Sequence, residues 1–79
     1  MKIHRMSVEA LSHDGDYEEM GSVLLPDYAA PSEVEHALVA VGVYAPRGAD
    51  SLEWHDTASY PSAWIRDGGG EIIVRIRRL

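Results

Sequence analysis

The chain has 79 residues, no cysteine and a formal net charge of −6, which leaves room for one small core and none for a catalytic domain beside a cofactor domain. Without cysteine there are no disulfide staples, thiolate nucleophiles, cysteine zinc sites or iron–sulfur clusters. No apolar run approaches the roughly 20 residues a membrane-spanning helix needs, and Met1-Lys2-Ile3-His4-Arg5 leads into polar residues rather than a signal-peptide core, so a cytoplasmic protein away from membranes is expected.

Lys2 to Leu11 reads as a first strand, with Met6, Val8 and Ala10 on one face and Ile3, Arg5, Ser7 and Glu9 on the other. His13-Asp14-Gly15-Asp16 is a turn, since Asp-Gly is a strong hairpin signal. The returning strand, Tyr17 to Leu25, has two registers open to it. A two-residue loop sets Met6 beside Val23 and Val8 beside Gly21; a three-residue loop sets Met6 beside Leu24 and Ala10 beside Met20. The second gathers more apolar residues and is preferred, with Gly21 marking a bulge in either case.

After the connector Pro26 to Pro31, Ser32 and Glu35 have the spacing of a capping box. Val34, Ala37, Leu38 and Val41 then share one helical face, and Gly42 is placed to end the helix. Val43-Tyr44 extends briefly before the loop Ala45 to Asp50, and Ser51 to Thr57 alternates as a strand with Leu52, Trp54 and Asp56 on one side. Ala58-Ser59-Tyr60-Pro61 turns the chain into a last hairpin, Ser62 to Leu79, reversed at Asp67-Gly68-Gly69-Gly70. Strict alternation puts Ile72, Val74 and Ile76 on the core face and Ile73, Arg75 and Arg77 opposite. As an edge strand, this segment uses its arginines as gatekeepers against edge-to-edge pairing. The expected architecture is one α+β domain over residues 1–79, a mostly antiparallel sheet of four to five strands with one helix packed on one face, in the order ββαβββ.

All thirteen acids lie between Glu9 and Glu71, opposed there only by Arg47 and Arg66, a net of −11 for that segment. Lys2, Arg5, Arg75, Arg77 and Arg78 sit at the two ends, so the molecule is electrically bipolar if the terminal strands are neighbours. An acidic body repels nucleic acid and attracts basic proteins. The six aromatic residues are all Trp or Tyr, with a polar handle that suits a core hydrogen bond or a half-wet interface.

Candidate chemistry is thin. His13-Asp14, Glu35-His36 and His55-Asp56 supply metal-ligand types without a spacing that makes them converge. Asp14, Asp16, Glu18 and Glu19 lack the helices, central glycine and distant glutamate of a calcium loop. Gly68-Gly69-Gly70 leads into a strand and Glu71 rather than a helix, so it is a turn and not a phosphate cradle. Ser12-His13-Asp14 has the residue types of a triad on adjacent positions that point apart. No catalytic residue, metal ligand or cofactor is assigned, and the expectation is a protein that is not an enzyme.

In its size, acidity, lack of cysteine and lack of motifs, the chain resembles the small phage-encoded inhibitors of the anti-CRISPR type that imitate nucleic acid. That resemblance implies an inhibitor whose acids occupy a basic, nucleic-acid-binding surface of a protein or nucleoprotein complex, with no direct contact to nucleic acid. The contact residues expected are Asp14, Asp16, Glu18, Glu19, Glu33 and Glu35. The alternative is a homo-oligomeric accessory module, a homodimer built through the strand Glu71 to Leu79 or the helix face near Val39. A small metal-dependent enzyme ranks below both.

Overall fold

The computed structural model describes residues 2–45, 50–57 and 60–79. Its elements are β1 (Ile3–Leu11), β2 (Tyr17–Pro26), α1 (Pro31–Ala40), β3 (Glu53–Thr57), β4 (Tyr60–Arg66) and β5 (Ile72–Arg78). The strands form one five-stranded sheet in the spatial order β2-β1-β5-β4-β3, and the strand pairs are antiparallel. The fold is α+β, with the helix between β2 and β3 in the chain. Parts of two expected connections, residues 46–49 with Arg47 among them and residues 58–59, lie outside the described residues. Among the described residues no helix is long and apolar enough to cross a membrane.

Period-two alternation builds the core. Met6 and Val8 of β1, Val23 and Leu25 of β2, Ala63 and Ile65 of β4, and Val74 and Ile76 of β5 are buried together on one face. Val34 and Leu38 of α1 close over them, with Ala37 and Val41 packed alongside, as the helical spacing predicts. Ala29, Val43 and Ala45 extend this cover, and Trp54 donates its indole N–H to the Ala29 carbonyl at 2.9 Å, tying β3 to the connector before the helix.

The helix starts two residues earlier than the capping box at Ser32 predicts. Pro31 takes the first turn, where its fixed φ fits and its missing N–H costs nothing, and Ala30 is the N-cap. Glu33, not Glu35, reaches back to the cap, accepting from the Ala30 amide at 3.4 Å. Gly42, with φ +75°, follows the helix end, and the amides of Gly42 and Val43 bond to the carbonyls of Val39 and Leu38.

The first hairpin follows the register that the apolar count disfavours. Met6 pairs with Val23 and Val8 with Gly21, then a bulge at Met20 shifts the ladder so that Glu9 faces Glu19 and Leu11 faces Tyr17. Gly21 explains the choice. Its φ is +147°, and a Cβ there would stand 3.1 Å from a methyl of Val41, so glycine lets the end of α1 settle onto the middle of β2. The turn then takes the longer course Ser12 to Asp16, closed by the Ser12 amide on the Asp16 carbonyl at 2.7 Å.

A second bulge corrects the expected faces of β5. Ile65 pairs with Val74 but Arg66 pairs with Ile72, leaving Ile73 as the extra residue. Ile73 packs against the core, while Ile72 lies among Tyr17, Trp64 and Arg75 on the opposite face. β5 is also no edge strand: it sits at the centre of the sheet, bonded to β1 on one side and β4 on the other. Its arginines are therefore not edge gatekeepers, and a second copy cannot join this strand by edge pairing. The edges are β2 and β3.

Candidate functional site

The topology sorts the charges by end. β1 climbs toward the turn Ser12 to Asp16; β5 starts, and β4 finishes, at that same end, where Ser51 before β3 exchanges hydrogen bonds with the backbone of Arg66. Asp14, Asp16, Glu18, Glu19, Asp50, Asp67 and Glu71 all belong to this end. Five strands at about 4.8 Å spacing make it roughly 20 Å wide. The opposite end holds Lys2, Arg5, Arg77 and Arg78 together with Asp27 and Asp56.

Ion pairing sharpens this difference. Among the described residues the cations engage three acids: Glu9 with Arg75 at 3.1 Å and Arg77 at 2.9 Å, Asp27 with Arg78 at 2.9 Å and His4 at 3.6 Å, and Glu53 with Arg66 at 2.6 Å and His55 at 3.1 Å. The seven carboxylates of the turn end have no such partner among these residues. Arg66, the one arginine near them in the described chain, is held by Glu53 and by the Gly70 carbonyl at 2.9 Å.

Of the six acids read from the sequence, four fall here. Asp14 accepts the Ser12 hydroxyl and the Asp16 amide, and the Ser12 hydroxyl, followed by that amide, holds its carboxyl below the usual aspartate range. Glu18 and Glu19 are neighbours on a strand and point to opposite sides: Glu18 lines a groove of about 600 Å³ with Ala10, Leu11, His13, Met20 and Ile73, while Glu19 accepts the Ser7 hydroxyl at 3.2 Å. Glu33 and Glu35 do not join them. They sit in the first turns of α1, which the chain enters from the far end of β2, a strand whose ten residues span about 30 Å. Asp50, Asp67 and Glu71 complete the acidic end, and sequence reading missed them because they come from turns distant in the chain. The glycine-rich turn carried the signal: Asp67 accepts the Gly69 and Glu71 amides, both at 2.9 Å, which places two acids at the end of the central strand.

The face that α1 leaves open carries the other concentration of functional groups. Arg75 lies 3.8 Å over the Tyr17 ring, Tyr17 donates its hydroxyl to the Ile72 carbonyl at 2.6 Å, and His55 packs on Trp64 with ring centroids 4.1 Å apart. Between them runs a groove of about 280 Å³ lined by Tyr17, Ser62, Trp64, Ile72, Arg75 and Arg77. Among the described residues no three His, Asp or Glu side chains converge as metal ligands. No protein-family model, curated protein or solved structure matches the chain.

Proposed function

We propose that this chain is a non-enzymatic cytoplasmic binding protein whose acidic end occupies a basic, phosphate-holding surface on a partner protein or nucleoprotein complex, as small phage-encoded inhibitors of the anti-CRISPR type do. The observation that carries this reading is the segregation of charge: among the described residues seven carboxylates gather at one end without a cationic partner, while Arg66, Arg75, Arg77 and Arg78 are spent on Glu53, Glu9 and Asp27. Unpaired surface acids steer a basic partner toward this end and keep nucleic acid itself away. Asp14, Asp16, Glu18 and Glu19 form the contact; Glu33 and Glu35 belong to a separate surface.

The test is retention of partners on the immobilised chain as salt is raised, beside a variant with lysine at Asp14, Asp16, Glu18 and Glu19 and a matched variant at Glu33 and Glu35. Release with rising salt, loss in the first variant and retention in the second are expected, since contacts between charges weaken once the screening length falls below about 10 Å. Retention indifferent to salt and to all four reversals refutes the reading.

A homodimer keeps one favourable observation. Ile3, Leu24 and Leu79 are exposed on the open face at the basic end, beside the unpaired edge of β2. Sedimentation at micromolar concentration separates the two readings, because a strict monomer removes the second.

A further inference from the structure

We infer that the groove on the open face of the sheet binds a small planar ring carrying an anionic group, the chemistry shared by nucleotides and aromatic acids. Its lining combines what such a ligand needs: the Trp64 ring and the Arg75–Tyr17 stack as flat walls, Ile72 as an apolar floor at one end, and the guanidinium of Arg77 at the other. Aromatic and guanidinium planes on an open antiparallel sheet receive rings by stacking, without a hydrogen-bond code. The volume, about 280 Å³, suits one such ring and its substituent rather than an extended chain.

Charge on this face favours an anion although the chain as a whole is acidic. Glu9 is shared by Arg75 and Arg77, so the trio carries one net positive charge, and the carboxylate is the less exposed member, at 16% against 30% and 53%. Glu9 takes one nitrogen from each guanidinium in these ion pairs, and the Nε of Arg75 is buried without a hydrogen-bond partner. Arg77 therefore keeps N–H groups for a ligand oxygen, while Glu9 holds both arginines upright. The acidic end lies beyond Ile72, at the end of the groove away from Arg77, so the ligand's charge is steered toward Arg77. This site is separate from the acidic end and stands or falls without it.

The two tryptophans supply the test. Trp64 lines the groove, whereas Trp54 is on the covered face with its N–H on Ala29. Their two indole signals in a ¹⁵N-correlation spectrum are followed while the full chain is titrated with adenosine 5′-monophosphate or 4-hydroxybenzoate, and with adenosine and inorganic phosphate as half-ligands. Saturable movement of the Trp64 signal with one or both ring anions is expected, with Trp54 still and with each half-ligand bound at least about tenfold more weakly. The anion that binds more tightly identifies the source. Arg77→Ala, at an exposed position that leaves Glu9 paired with Arg75, lowers the affinity by about tenfold or more. A Trp64 signal unmoved by both ring anions overturns the inference, as does equal affinity for adenosine, or binding unchanged in Arg77→Ala.

Discussion

The two faces of the sheet are written by the same strands and hold together by different physics. On the covered face Met6, Val8, Ile65, Val74 and Ile76 meet α1 with almost no solvent contact, and their cohesion comes from apolar burial. One residue along each strand, Glu9, Trp64, Arg75 and Arg77 stand on the open face, where ion pairs and ring stacking hold them in place at little gain in stability. The contrast teaches that the covered face makes the fold, while the open face and the acidic end are free to carry function.

The sharpest way to break that contrast is to truncate adjacent residues of β5. Ile76→Ala should cost about 2 to 5 kcal/mol, because the neighbours cannot close the cavity it leaves, and Arg77→Ala should cost under about 1 kcal/mol. Urea unfolding curves read both; equal losses would show that the open face is as structural as the covered one.

Glu9 tests the open face from within. Glu9→Gln leaves Arg75 and Arg77 side by side without their shared anion, which should cost about 1 to 2 kcal/mol and make the variant gain stability with added salt more than the parent does. A variant as stable as the parent in low salt would mean that the ladder of charges is ornamental.

The smallest expected effect is a slope. Arg66 beside Glu53 holds its carboxyl below the usual glutamate range. The folded state thus favours the ionised form, and the stability this confers is complete above the unfolded value and lost as pH falls through the folded one. Glu53→Gln should accordingly flatten the acid limb of a thermal-denaturation series without altering behaviour near neutrality beyond a constant offset. An unchanged acid limb would assign that limb to other carboxylates.

Local rules read well where a residue's neighbours in sequence decide its fate. The alternation of Met6 and Val8, the helical face of Val34, Ala37, Leu38 and Val41, and the turn at Asp67 to Gly70 all follow from periodicity and glycine chemistry. Local rules failed where one extra residue changed a strand's phase. The bulges at Met20 and Ile73 answer to α1 resting on Gly21 and to the pairing of β4 with β5, contacts no short window contains. The acidic end was half legible for the same reason: Asp14, Asp16, Glu18 and Glu19 are contiguous, whereas Asp50, Asp67 and Glu71 join them only through the order of the strands.

By itself the sequence determined composition-level and local properties: one small core, a strong negative balance, alternating strands and one amphipathic helix. Those follow from side-chain chemistry and short-range sterics. The tertiary structure alone decided that β5 is central, that Glu9 is shared by two arginines brought from the other end of the chain, and that Glu33 and Glu35 lie apart from the turn acids. Charge acts through space, so the value of each carboxylate is set by what the sheet places beside it and not by its neighbours along the backbone.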